Sequence, residues 1–166
     1  FSGCRKVNME NGLKFPLNVT EIGDEAFLNY GASSTNAGDL ALPSGLTSIG
    51  KKAFSGAKLK GNLVIPSSVA FMGDSAFQSA YADTDKSNMG MLSFENGSKL
   101  TSIPAYAFDK CLAFKGSIVI PEGVTSIGQY AFEKCSGMDG TRSLPSGLET
   151  IGNYAFSECS KLTGGI

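Results

Sequence analysis

An Ala-Phe pair recurs six times in one register along the chain, at Ala26-Phe27, Ala53-Phe54, Ala76-Phe77, Ala107-Phe108, Ala131-Phe132 and Ala155-Phe156. Five residues before each Phe stands an aliphatic (Ile22, Ile49, Met72, Ile103, Ile127, Ile151), and three before that another (Val19, Leu46, Val69, Leu100, Val124, Leu148). Phe1, followed by Cys4, reads as the tail of an earlier copy; counted from it, successive Phe positions are 26, 27, 23, 31, 24 and 24 residues apart. A fixed period between about 20 and 50 residues is the signature of stacked repeats and outranks any local assignment of helix or strand.

Each column of the repeat has a physical reading. A Pro closes a short apolar run in Phe15-Pro16, Leu42-Pro43, Ile65-Pro66, Ile120-Pro121 and Leu144-Pro145. Alternation in Leu63-Val64-Ile65 and Ile118-Val119-Ile120 predicts a short strand with its first and third side chains inward, ended by the Pro because it has no N–H for the ladder. A second extended piece is predicted in Gly45 to Gly50 and Gly123 to Gly128, whose flanking glycines suit corners that need positive φ. The stretch through Ala-Phe is too short for a long helix and reads as a 3₁₀ or single α turn. The fourth copy departs from this pattern. It runs from Phe94-Glu95 to Leu100 two residues longer and without the proline, and it carries Pro104 where the others have Gly23, Gly50, Gly73, Gly128 and Gly152.

Two strands and a turn cannot bury their own apolar face. Stacking the copies at the inter-strand spacing of about 4.8 Å solves this by laying Phe on Phe and Ile on Ile. The expected fold is therefore a β-rich solenoid: one rod over residues 1–166, about six repeats plus the partial first one, and about 30 Å long on that spacing.

Composition narrows function by exclusion. The chain is 42% hydrophobic, enough for a sizeable core. Fourteen Lys and Arg against 15 Asp and Glu, with no basic patch, argue against nucleic acid. No apolar window approaches about 18 residues, so membrane insertion is not expected. The absence of His removes imidazole triads and most catalytic zinc sites. No cofactor and no enzymatic activity are expected.

The string from Ile120-Pro-Glu-Gly-Val-Thr-Ser-Ile-Gly to Tyr130-Ala-Phe-Glu-Lys-Cys135 resembles the BspA-type leucine-rich repeat, whose units read "IP..VTSIG..AF..C". Leu144 to Cys159 repeats it, and Phe94 to Ile103 resembles a common variant unit. The resemblance implies a right-handed solenoid, found on surface proteins of gut and oral bacteria and of some protozoan parasites. It also implies adhesion to host matrix proteins or other cells, although a fold does not by itself fix a function. The chain is expected to be a fragment of a longer exported, surface-displayed array.

Other motifs carry less. Gly45-Leu-Thr-Ser-Ile-Gly50-Lys51-Lys52 falls one residue short of a P-loop, and its counterpart, Gly123 to Gln129, has no lysine. Cys111, Cys135 and Cys159 share a column, with Cys4 at the N-terminal edge and Tyr30, Ala57 and Ala80 in the same slot elsewhere. Buried reduced thiols acting as small hydrophobes are the adopted reading; a disulfide between two of them and a metal site stay open. Asp24, Glu25, Asp109, Glu133 and Glu158 read as solvated turn charges, not a catalytic pair. Asn18-Val-Thr20 and Asn96-Gly-Ser98 match the glycosylation pattern.

With the aliphatic columns inward, the two residues between them form a surface column: Thr20-Glu21, Thr47-Ser48, Ala70-Phe71, Thr101-Ser102, Thr125-Ser126 and Glu149-Thr150. Hydroxyls at fixed spacing on a rigid sheet suit a polymeric partner, an extracellular protein or glycan. Phe71 is the aromatic exception and a candidate anchor. Tyr106, Tyr130 and Tyr154 recur before the Ala-Phe pair, either as a binding stripe or as rings that cover their neighbours. The candidate ligand-binding residues are Thr47, Ser48, Phe71, Thr101, Ser102, Tyr106, Thr125, Ser126, Tyr130, Thr150 and Tyr154. Insertions at Gly31–Gly38 and Tyr81–Gly90 are expected as loops at one edge; in the second, Asp83, Asp85 and Asn88 hint at calcium but lack the full loop pattern. A recognition surface is the leading expectation and a passive spacer the alternative.

Overall fold

Short strands of two to four residues cannot satisfy their backbone alone, so each must bond to its equivalents in neighbouring coils. The computed structural model, which describes residues 11–34 and 37–164, is a β-solenoid of about six coils built in this way. Its strands are β1 (Leu13–Lys14), β2 (Glu21–Ile22), β3 (Gly38–Ala41), β4 (Ser48–Ile49), β5 (Leu59–Lys60), β6 (Leu63–Ile65), β7 (Phe71–Met72), β8 (Leu92–Phe94), β9 (Ser102–Ile103), β10 (Ile118–Val119), β11 (Ser126–Ile127), β12 (Arg142–Ser143) and β13 (Thr150–Ile151). All pairings are parallel. The Pro-ended strands make a first face, and the strands through the surface column make a second. Between the faces the Pro carbonyl accepts an i+3 amide, as in Val69 N to Pro66 O at 3.1 Å. Leu63 and Ile65 are buried and Val64 exposed, as the alternation predicts.

The third edge holds the spine. Phe27, Phe54, Phe77, Phe108, Phe132 and Phe156 stack in one file, with centroids 5.1–5.6 Å apart and neighbouring rings within 15° of parallel. The expected 3₁₀-type closures are present here, but they alternate with bonds to the next coil. In the first full copy Ala26, Leu28 and Tyr30 donate within the turn, while Glu25, Phe27 and Asn29 donate to Lys51, Ala53 and Ser55. The alternation requires left-handed residues four apart. These are Glu25 and Asn29, Ser75 and Ser79, Tyr106 and Lys110, Tyr130 and Lys134, Tyr154 and Glu158, and Lys52 with Gly56.

The glycines play a different part from the one expected of them. Gly45, Gly50, Gly123 and Gly128 do not have positive φ. Gly50, Gly73, Gly128 and Gly152 are instead needed because the coils nearly touch there: a Cβ on Gly128 would lie 2.5 Å from the Ala105 nitrogen.

Phe1, Cys4, Thr35 and Asn36 lie outside the described residues. In the second insertion Tyr81 is not part of a surface loop; it is fully buried with its ring 4.6 Å from that of Phe114. The loop beyond it contains a short 3₁₀ turn, Lys86–Asn88. Asp83 accepts from Asp85 N and Asn88 Nδ2, each at 2.9 Å, and Asp85 accepts from Ser87 N and Oγ. These carboxylates fasten their own loop.

Candidate functional site

The second face is not one sheet. It consists of β2-β4-β7 and β9-β11-β13, and no hydrogen bond joins β7 to β9. At an intact junction, such as that between β9 and β11, Thr125 N donates to Thr101 O at 2.9 Å and Gly128 N to Ile103 O at 2.7 Å. The same bonds join Ala70 N to Thr47 O and Gly73 N to Ile49 O. Between β7 and β9 the donor at the second position would be Pro104, which has no N–H. Its ring also stands where the other coils need glycine for close approach. Ladder and contact are therefore both lost at the one copy that breaks the glycine column.

A shallow groove of about 690 Å³ lies over this split. Its floor includes Met72 and Ile103, and its walls include Phe71, Pro104 and Ser102. Phe71 is 57% exposed. Asp24, Lys51 and Asp74 form one rim; Asp24 Oδ1 accepts from Lys51 N at 2.7 Å, and the exposed Asp74 carboxylate has no hydrogen bond or ion pair among the described residues. The spine bridges the split, with Ser75, Phe77 and Ser79 amides donating to Ala105, Ala107 and Asp109 at 2.7–2.9 Å.

The first face is in three pieces, β1-β3-β5, β6-β8 and β10-β12, with a groove of about 500 Å³ between the last two, beside exposed Met91 and Val119. The fourth coil thus bonds backward through one face and forward through the other.

Of the predicted surface residues, Phe71, Ser102, Ser126 and Thr150 line the larger groove, whereas Thr47, Ser48, Thr101, Thr125, Tyr106, Tyr130 and Tyr154 do not. The threonine hydroxyls are not all free. Thr47 Oγ1 donates to Thr20 O at 3.0 Å and Thr125 Oγ1 to Thr101 O at 3.4 Å, capping the preceding coil. The tyrosines stack face to face, Tyr106 on Tyr130 at 4.9 Å and Tyr130 on Tyr154 at 5.1 Å, so the rings of the file cover one another.

Two residues behave otherwise than the sequence suggests. Asp109 is not a solvated turn charge: its side chain is 1% exposed, Gln78 Nε2 donates to Oδ2 at 2.9 Å, Lys110 Nζ lies 3.7 Å away and Oδ1 has no partner. Glu133 and Glu158 do ion-pair at the surface, both with Lys134. Cys111, Cys135 and Cys159 are free and buried, but their role exceeds that of small hydrophobes. Each thiol donates to the carbonyl of the spine Phe one coil back: Phe77 at 3.1 Å, Phe108 at 3.2 Å and Phe132 at 3.0 Å. Burial pushes the Cys111 thiol up to about 12 and raises that of Cys135 as well.

This geometry of file-stacked residues from successive repeats agrees with the comparisons. The model for the BspA type Leucine rich repeat region matches residues 1–96 and 85–164, with 6 copies. The chain belongs to the BspA-type leucine-rich repeat family. A leucine-rich repeat protein from Bacteroides ovatus ATCC 8483 superposes on this BspA-type solenoid with a TM-score of 0.70 and 26% identity, over 89% of this chain and 35% of that one. The chain thus spans about a third of that protein's length. A leucine rich cell surface protein from Faecalibacterium prausnitzii A2-165 is 21% identical, with 98% of this chain and 60% of that one covered and a TM-score of 0.40. Among the curated proteins none matches. No helix among the described residues is long and apolar enough to cross a membrane.

Proposed function

We propose that this BspA-type solenoid is a non-enzymatic recognition module of a surface or extracellular protein, binding a protein or glycan partner, such as host matrix, on its second face. The observation that carries the reading is the groove over the β7/β9 split, where the one exposed aromatic of the surface column, Phe71, stands beside Ser102, Ser126 and Thr150. A rigid spine supports it from behind, so the site is organised before any partner arrives, which lowers the ordering cost of binding. Residues repeated as one type per column suit a partner met at several points. Placement at the cell surface rests on the family.

The test is binding of the wild-type chain to immobilised matrix proteins and a glycan array, compared with a variant carrying Phe71→Ala, Ser102→Ala and Ser126→Ala. The module reading expects binding that the triple variant loses while its melting temperature holds. The unbroken Phe spine favours one alternative, a passive spacer, which expects no binding to any member of the panel.

A further inference from the structure

We propose that the β7/β9 groove receives an extended polypeptide segment, which adds to the split sheet as a strand and places a cationic side chain against Asp74. The proposal rests on the recognition reading above and names the class of partner.

The backbone supplies the first argument. At intact junctions the carbonyls equivalent to Ala70 O and Met72 O accept amides from the next coil, as Thr47 O accepts from Ala70 N at 2.9 Å and Ile49 O from Gly73 N at 2.8 Å. At the split, Ala70 O and Met72 O have no such donor, and the Thr101 and Ser102 amides have no such acceptor. Each side of the groove therefore presents strand-edge groups without their usual partners, as both edges of a parallel ladder carry donors and acceptors. An extended peptide carries both kinds of group at strand spacing, which is how partners add to open sheet edges. Pro104 keeps the edge open from within, because no rearrangement of this chain gives position 104 a donor.

Side chains supply the second. Phe71 projects from β7 while Met72 is buried, so one exposed aromatic flanks the peptide's alternating side chains. The Asp24, Lys51 and Asp74 rim is net acidic, and its Asp74 carboxylate has no hydrogen bond or ion pair among the described residues. A Lys or Arg on the peptide complements it.

A random peptide library displayed on phage, panned against the chain, tests this. Enriched peptides are expected to carry Lys or Arg. N-methylation along an enriched peptide is expected to weaken binding at least about tenfold at alternate residues, because only every other amide faces the edge. Asp74→Arg is expected to abolish capture. Pro104→Gly, which supplies the missing amide, is expected to abolish capture and to show slowed hydrogen exchange at position 104. No enrichment, a methylation profile without period two, or capture undiminished by Asp74→Arg overturns the proposal. Matrix or glycan binding that persists in both variants, with no peptide enriched, overturns strand docking while leaving the recognition reading standing; no binding to any probe removes both.

Discussion

The junctions on either side of the fourth coil differ at one column and behave oppositely on the second face. Toward the fifth coil, Gly128 presses against Ala105 and donates to Ile103 O at 2.7 Å. Toward the third, Pro104 can neither approach Gly73 nor donate to Met72, and the sheet parts into a groove. The spine crosses both junctions alike, with Phe77 to Phe108 at 5.6 Å and Phe108 to Phe132 at 5.3 Å. The spine, together with the β6-β8 pairing of the first face, holds the third coil to the fourth, and the second face is thereby released for other use.

Truncating the spine tests that division most severely. Phe108→Ala, at the split, is expected to cost about 3–5 kcal/mol, and Phe54→Ala, at an intact junction, the same within about 1 kcal/mol, because both rings are fully buried between two others. Urea unfolding of the two variants measures it. A markedly milder Phe108 variant would mean that the fourth coil is held by something other than the file of rings.

Next in size is the close approach itself. Gly128→Ala introduces a Cβ 2.5 Å from the Ala105 nitrogen and is expected to cost about 1–3 kcal/mol through a forced backbone shift. Hydrogen exchange should quicken at the Thr125 and Gly128 amides and stay unchanged at Ser75 and Phe77. An unaffected β9/β11 ladder would remove close packing as the cause of the split and leave only the missing proline donor.

The columns of Phe, Ile and Val were legible in the sequence because each is a local requirement repeated in register, and any one copy supports the others. Inward Leu63 and Ile65 followed from alternation alone. The split was half legible: Pro104 stood out in the glycine column, but its consequence depends on how closely the coils approach, and that follows from stacking, not from any single copy. A positive φ was expected at the glycines, while the left-handed positions fall to residues such as Ser75, Tyr130 and Lys134, where the alternating bonds of the spine impose them. Asp109 and Tyr81 were misread for a related reason. Both sit beside the longest spacing in the array, where the period says least about which side chains turn inward.

Burial of the spine thiols gives a pH-dependent test on the coil that follows the split. Cys111 is pushed from an ordinary value near 9.0 up to about 12, so the folded chain holds its proton more tightly than the unfolded one. Its contribution to stability is complete below about pH 9 and is lost as pH rises toward 12, with a slope of at most about 1.4 kcal/mol per pH unit. Denaturation midpoints from pH 8 to 11 should fall less steeply in Cys111→Ala. An identical slope in that variant would mean that the thiol is not sealed beneath the Phe77 carbonyl.

The smallest effect separates the two kinds of junction by a single hydroxyl. Thr47 Oγ1 donates to the carbonyl of Thr20 at 3.0 Å across an intact junction, whereas Thr101, its equivalent at the split, makes no such bond to Ala70. Thr47→Val is expected to cost about 0.5–1 kcal/mol, the net worth of one exposed hydrogen bond. Thr101→Val should change stability by less than about 0.5 kcal/mol. Both substitutions keep a β-branched side chain on the strand, so the difference between them isolates the bond to the preceding coil. Equal losses would show that the Ala70 carbonyl is within reach after all and that the sheet closes in solution, leaving no open edge beside Phe71.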